Sequence, residues 1–214
     1  MLYAFVDGKK NLATPGARAV CSMCDGEVIA KCGKINIWHW AHKTTECDTW
    51  AEGESAWHLA WKSMWPEHLV EQTIRKNGVL HRADILQEDG TVIELQNSSI
   101  SVDEIREREA FYDKMMWIFN LTEPYEKGRI SLRFRKMDWQ NFTWVYARKH
   151  IHYTTKPTFW DFGLQYPIFE RKASYNNGKW GWGRFTECDA KEFHDLGATV
   201  NRIFDAIKET HDTL

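Results

Sequence analysis

His81-Arg82-Ala83-Asp84-Ile85-Leu86, then Gln87-Glu88-Asp89-Gly90, then Thr91-Val92-Ile93-Glu94-Leu95-Gln96: an Asp-Gly turn between two alternating apolar runs is a strong short-range hairpin signal. With the turn centred near Asp89, Asp84 and Glu94 are equidistant from it and fall opposite one another. Cross-strand side chains so placed have Cβ atoms about 4.5–5.5 Å apart. Two carboxylates that close repel unless a cation sits between them, and hard oxygen pairs suit Mg²⁺ or Mn²⁺. Gln96, two residues beyond Glu94, shares its face, while Ile93 and Leu95 point the other way. An Asp, nine intervening residues, then Glu-x-Gln on paired strands reads as a divalent-metal phosphodiesterase site.

Working outward, a helix is expected from about Gly53 to Trp65, stopped by Pro66, with strands near 69–76, 80–87 and 91–97. Ser101 with Glu104 three residues on is a capping-box pattern and opens a helix over about 102–114. The continuously apolar 115–121 reads as a strand buried on both faces. The order α-β-β-β-α-β is then complete. Further strands near 129–136 and 142–148 extend the sheet, 156–184 stays unassigned, and a C-terminal helix is expected near 189–209. Residues 1–50 are turn-rich, with short strands near 3–6, 18–21, 27–31 and 35–40. The expected division is 1–50 for a small zinc-binding region, 51–150 for the core and 151–214 for an aromatic-rich extension packing on it.

Four of the five cysteines lie in that first region. Cys21-Ser-Met-Cys24 presents two thiolates from one turn, and His39-Trp-Ala-His42 and Cys47 come next at the spacing that completes a tetrahedron. The best set is Cys21, Cys24, His42 and Cys47 around a structural Zn²⁺, with His39 the competitor for the third place. Four protein ligands leave no open position for chemistry. A redox CxxC is the rival reading, but nothing around it resembles the βα unit such motifs occupy. An odd cysteine count argues against a disulfide framework.

The helix before the acidic strands carries two stripes at i, i+4, i+8. Trp57, Trp61 and Trp65 read as core. Glu54, His58 and Lys62 read either as a solvated face or, because the acidic strands come directly after the helix, as the rim of a site. In that second reading Glu54 is a third metal carboxylate, His58 contacts the scissile phosphate or shuttles a proton, and Lys62 stabilises developing charge.

Composition bounds the function more loosely. The chain has 12 Trp and 11 Phe among 214 residues and a formal net charge of −2, against the basic excess common in polyanion binders. Local bias offsets this: 127–136 and Arg148-Lys149-His150 are basic stretches, readable as a solvated strand face or as a phosphate track. No apolar run approaches the roughly 18 residues of a membrane span. The N-terminus has no signal-peptide pattern, so a cytoplasmic location is expected.

The α-β-β-β-α-β order with Asp84, Glu94 and Gln96 resembles the PD-(D/E)XK, or restriction-endonuclease-like, nuclease core. Joined to Cys21-Ser-Met-Cys24, His39-Trp-Ala-His42-Lys43, Glu54-Ser-Ala-Trp-His58 with Lys62, Arg82-Ala-Asp84, Glu94-Leu-Gln96-Asn-Ser-Ser, Arg106 and Tyr112, it resembles the competence-protein CoiA-like family. The resemblance implies an α/β nuclease-like fold behind an N-terminal zinc-ribbon-like knuckle, and a role in DNA processing, competence or defence. It spans roughly residues 18–121. The core's usual lysine after Glu-x is Gln96 here, which orients water or binds metal but carries no charge. Lys62 from the preceding helix is expected to restore that cation. The expected activity is a Mg²⁺- or Mn²⁺-dependent deoxyribonuclease. One rival is a non-catalytic DNA-binding or adaptor protein that keeps the fold. Another is a protein-interaction module, which an exposed aromatic patch around Trp160, Trp180 and Trp182 would favour.

Overall fold

The computed structural model describes residues 1–34, 37–44, 47–51, 53–136, 139–163 and 166–186. The helix expected near 189–209, Cys188, and the start of the strand expected over 35–40 lie outside them. The fold is mixed α/β, and the chain divides into two compact units, 1–90 and 91–214.

The first unit opens with five short strands: β1 (Tyr3–Val6), β2 (Lys9–Leu12), β3 (Arg18–Val20), β4 (Glu27–Lys31) and β5 (His39–His42). They form an antiparallel sheet in the order β2-β1-β3-β4-β5. β2 has no sequence signal because Lys9-Lys10-Asn11-Leu12 lacks apolar alternation. It is a largely exposed edge whose backbone pairs β1. The core beneath is made of small residues, Ala4, Ala13, Ala19 and Val28, closed by Trp40. The Trp40 indole N–H donates to Asn11 O at 2.9 Å, so the one polar atom of that large side chain is satisfied.

Helix α1 (Ala56–Ser63) begins later than its hydrophobic period predicts, because Ser55 caps it, its hydroxyl accepting from the His58 N–H. Glu54 is therefore in the approach to the helix rather than on it. β6 (Val70–Lys76) and β7 (Val79–Leu86) pair antiparallel, with Val70 opposite Ile85 and Gln72 opposite Ala83. Along β7 His81, Ala83 and Ile85 are buried, which leaves Arg82 and Asp84 on the other face. Gln87-Glu88-Asp89-Gly90 is a turn closed by the Gly90 N–H on Gln87 O, with Gly90 at φ +82°.

The second unit contains β8 (Val92–Gln96), α2 (Val102–Tyr112), β9 (Met115–Asn120), α3 (Thr122–Glu126), β10 (Ile130–Lys136), β11 (Trp139–Trp144), β12 (Thr158–Asp161), β13 (Phe169–Tyr175) and β14 (Trp180–Phe185). In chain order α1, β6, β7, β8, α2 and β9 reproduce the expected α-β-β-β-α-β run. The strands of this unit lie in the order β10-β11-β14-β13-β12-β9-β8. The pairs β8–β9 and β9–β12 are parallel and the others antiparallel. Every residue of β8 is buried, as a parallel strand covered on both faces requires. Ser101 caps α2 as expected, accepting from the Glu104 N–H at 3.0 Å.

The stretch that sequence leaves unassigned supplies β12, β13 and β14. Its organising device is Trp180-Gly181-Trp182-Gly183. A Cβ at Gly181 would lie 2.1 Å from Ala173 O and 2.6 Å from the Phe142 ring, and one at Gly183 would lie 2.2 Å from Glu170 O and 2.6 Å from Phe169. Buried Phe142 and Phe169 thus lie against the strand where side chains are missing, alongside Trp160 in the aromatic core.

Candidate metal centre and carboxylate cluster

Four ligand atoms of the first unit converge: Cys21, Cys24, His42 and Cys47 lie with their donor atoms within 4.8 Å of one another. Cys21 Sγ is 3.7 Å from Cys47 Sγ, and Cys24 Sγ is 3.3 Å from His42 Nε2. Tetrahedral zinc with Zn–S near 2.3 Å puts sulfurs about 3.8 Å apart, so donor set and spacing fit that ion. The turn that carries the first two ligands already directs N–H groups at sulfur, Met23 N to Cys21 and Gly26 N to Cys24, both at 3.4 Å. His39 is turned to the Ile37 carbonyl at 2.7 Å.

Protonation reflects the crowding. Burial, the neighbouring Cys24 sulfur and the Cys21 charge push the Cys47 thiol up to about 12. Burial opposes ionisation of Cys21 too, but the Met23 and Cys24 N–H groups and the Arg82 guanidinium hold it below its ordinary value. Without a cation one sulfur takes the negative charge at its neighbour's expense; a bound metal lets all of them ionise. Arg82 also donates to Cys21 Sγ at 3.2 Å, while its backbone N–H donates to Asp48. Asp48 in turn accepts from the Trp50 N–H and pairs with His81, on whose ring Trp50 stacks. The cysteine cluster is thereby tied to β7, two residues before Asp84.

A second constellation surrounds Lys62. Its ammonium is buried, 3% exposed, and contacts Glu54 Oε1 at 2.8 Å, Glu71 Oε1 at 2.9 Å and Asp84 Oδ1 at 3.1 Å. The N-terminal ammonium of Met1 stands 3.8 Å from Glu54 and donates to Trp40 O. Burial would drive Lys62 to shed its proton, but the three carboxylates outweigh it and hold the ammonium well above its ordinary range. Burial likewise opposes the Glu71 charge, yet Lys62, the N-terminus and Arg82 keep that carboxyl well below the usual carboxylate range. Glu71 also accepts from the Leu2 and Tyr3 N–H groups and holds a left-handed φ of +50°. So strained a backbone at a buried charge persists only where its partners over-determine it. Glu54 Oε2 is buried with no hydrogen-bond partner. An unsatisfied carboxylate oxygen of this kind is an acceptor suited to a hard cation. The structure thus brings Glu54, Lys62 and Asp84 together. It directs His58 Nδ1 to the Ser55 hydroxyl at 2.8 Å.

In the second unit, Glu94 is 2% exposed and accepts from Arg108 at 2.7 Å. Arg108 also bonds Glu104 one turn back and lies over the Trp117 ring. Burial opposes its charge, but Glu94 and Glu104 raise its affinity for the proton. Gln96 is buried, its amide nitrogen donating to Ser98 O at 3.3 Å.

A family model for the N-terminal domain of competence protein CoiA matches residues 12–49, and one for the CoiA nuclease-like domain matches residues 54–178. The chain belongs to the CoiA-like family. No curated protein and no solved structure matches it. The N-terminal CoiA match holds all four residues of the cysteine-histidine cluster. The nuclease-like match begins at Glu54 and takes in Lys62, Glu71, Asp84, Glu94, Gln96 and Arg108, and it extends through β12 and β13. This CoiA-like chain therefore carries a nuclease-like domain and a Cys₃His group able to hold a metal such as zinc.

Sequence reading misses Glu71, Arg108, Asp48 and Glu109. The motif draws attention to Arg106, which is exposed on α2; Arg108, two residues on, is the buried one. The available signal is spacing: Arg108 comes three residues after Ile105 and four before Tyr112, the apolar side of the helix. Glu109 accepts from the Trp117 indole and from the Thr155 and Lys156 N–H groups, so it anchors the loop into β12.

Proposed function

We propose that this CoiA-like chain is a metal-dependent nuclease that hydrolyses DNA phosphodiesters. The observation that carries the reading is the buried ammonium of Lys62, 3.1 Å from Asp84. In a nuclease-like domain whose Glu-x-Lys position holds Gln96, a lysine delivered to the catalytic aspartate from a neighbouring helix supplies the missing positive charge.

In this reading Asp84 and Glu94 ligate Mg²⁺ or Mn²⁺, with Glu54 a further carboxylate, and the bound ion would supply Lewis acidity and a more acidic water. Lys62 holds the Asp84 carboxylate in place from 3.1 Å and offsets charge building on the phosphoryl oxygens. Gln96 orients the attacking water, and His58 meets the phosphate or carries a proton. Arg108 holds Glu94 in position. Cys21, Cys24, His42 and Cys47 hold zinc as a structural brace, with no step of the chemistry routed through it.

The test incubates supercoiled plasmid and a labelled single strand with purified protein and Mg²⁺ or Mn²⁺. EDTA, Asp84→Ala and Glu94→Ala serve as controls. Cleavage abolished in all three supports the reading. Cleavage unaffected by Asp84→Ala sinks it.

One observation favours a second reading. Lys62 on Asp84 and Arg108 on Glu94 neutralise both carboxylates with protein cations, the pattern of a closed structural network. A non-catalytic adaptor that keeps the fold would bind DNA with salt-dependent affinity and show no cleavage with either metal.

A further inference from the structure

We propose that the solvent face of the antiparallel strands β10-β11-β14-β13 is a stacking platform for single-stranded nucleic acid. The inference deepens the nuclease reading by naming the strandedness of its substrate, but it rests on observations of the second unit alone.

Strand register puts Ser131, Thr143, Trp180 and Tyr175 in one cross-strand row and Arg133, Asn141 and Trp182 in the next. A third row pairs Trp139 with Arg184 and Arg184 with Glu170. Phe142, Gly181 and Gly183 alternate with these positions and are buried, so the rows above face outward. The usual arrangement, apolar in and polar out, is inverted along β14. Its inward positions Gly181 and Gly183 carry no side chain, while Trp180 and Trp182 stand outward with Arg184 next in line. Trp180 is 49% exposed and lies stacked on Tyr175 at 4.4 Å, and Trp182 meets Trp139 edge-on at 5.0 Å. Trp160, by contrast, is buried in the core.

Charge selects the occupant. Arg133 and Arg135 are exposed on β10, and Arg184 lies over the Trp139 ring at 5.8 Å. The acid of the third row, Glu170, is already bridged by Lys172 and Arg184. Aromatic faces interleaved with guanidinium groups, in a chain of net charge −2, match a polyanion with exposed rings. A duplex hides its base faces, whereas a single strand offers every one of them for stacking. Trp180 and Trp182, two residues apart on one strand, stand roughly 6.8 Å apart, so they can engage separate bases. The basic 127–136 stretch divides accordingly. Lys127 and Arg129 pair with Glu123 on α3, while Arg133 shares the row of Asn141 and Trp182, and Arg135 is exposed two residues on.

The experiment uses the full chain carrying Asp84→Ala with no added magnesium, so that binding is read without cleavage. Fluorescence anisotropy is recorded with labelled oligothymidine and oligouridine of about 15 nucleotides, near the upper site size of one such platform, and with a duplex of the same length. A single strand should bind tighter than the duplex. Trp180→Ala and Trp182→Ala should each weaken binding about tenfold, the effect of losing one stacked base. Trp180→Phe should restore most of the loss, and Arg133→Glu should weaken binding and flatten its salt dependence. Binding of either strand type with this pattern supports the platform, and the two strand arms tell DNA from RNA. The inference is overturned if the alanine variants, folded by circular dichroism, bind single strands as tightly as the parent. Equal affinity for duplex overturns it too, as does no binding, the outcome if the face takes a protein instead. The two proposals fail separately: loss of the platform shows in the tryptophan variants, loss of the nuclease reading in cleavage that survives Asp84→Ala.

Discussion

Replacing Lys62 with methionine keeps most of the unbranched apolar stem and removes one charge from a site where three carboxylates meet. Glu54, Glu71 and Asp84 approach that ammonium at 2.8, 2.9 and 3.1 Å. Breaking a buried ion pair by removing one partner costs about 3–5 kcal/mol, because the other charge stays buried and uncompensated. Here the cost is offset partly by the Met1 ammonium and by Arg82, which also favour the Glu71 charge, so about 3 kcal/mol is expected. At roughly 2–4 °C per kcal/mol for a chain of this size, Tm should fall by about 6–12 °C. The loss must also depend on pH. The folded-state Glu71 carboxyl lies below its unfolded value, so its contribution is present above the unfolded pKa and vanishes as pH falls through the folded one. Lys62 is raised, so its contribution is complete below its unfolded pKa and is lost only in strong alkali. The wild-type advantage over Lys62→Met should therefore be full at pH 7 and narrow below about pH 4, where Glu71 without its ammonium partner takes up a proton. Glu71→Gln introduced into Lys62→Met should recover part of the loss, a coupling measured by the double-mutant cycle. Equal Tm for wild type and variant at pH 7, or a penalty that does not shrink once the pH is taken below about 4, would refute the account of a charge-coupled cluster.

Gly181→Ala forces a Cβ to 2.1 Å from the Ala173 carbonyl oxygen, inside the ladder where nothing can yield cheaply; chemical denaturation should show a loss of at least about 3 kcal/mol. Purified protein should carry one zinc per chain by elemental analysis, Cys47→Ser should lose it, and His39→Ala should keep it, since His39 faces the Ile37 carbonyl. His150 is held neutral by burial and by Arg148, down to about pH 4. A histidine depressed in the folded state destabilises as pH falls, so between about pH 6.5 and 4 it should add up to one proton to the slope of stability against pH. His150→Phe should flatten that slope, read from denaturation midpoints across the window; an unchanged slope means His150 is not the group.

What can be read from the chain, and what cannot, divides along physical lines. Period and punctuation are local, so the strands around the Asp-Gly turn, the Ser101 cap and the buried run of β9 are legible. The ligand spacing of Cys21, Cys24, His42 and Cys47 is also local, being one turn and one hairpin of sequence. Residues 156–184 are not legible because their logic is cross-strand: Gly181 and Gly183 make sense only once Phe142 and Phe169 lie against them. Glu71 is invisible for a similar reason. Two of its partners are backbone N–H groups at the other end of the unit, Leu2 and Tyr3, and main-chain donors leave no mark in a sequence.

Asp84 and Glu94 share a feature that no motif records. Each is held by a cation from a helix: Asp84 by Lys62 of α1 and Glu94 by Arg108 of α2. A buried carboxylate without such a partner raises its pKa and protonates, and a protonated acid is a poor metal ligand. Where such a partner is present, a divalent ion must compete with the ammonium or guanidinium for the same oxygens. The pairing therefore implies that a metal taken by either carboxylate binds weakly and reversibly, in contrast to the cysteine cluster, whose sulfurs need the ion to ionise together. Isothermal titration should separate the two directly. With zinc bound, Mn²⁺ should bind wild type in the weak range, and Arg108→Ala should weaken it further, because Glu94 loses the guanidinium that holds it in place. Tighter binding in Arg108→Ala would mean the arginine only obstructs, and the argument for a poised carboxylate would be lost.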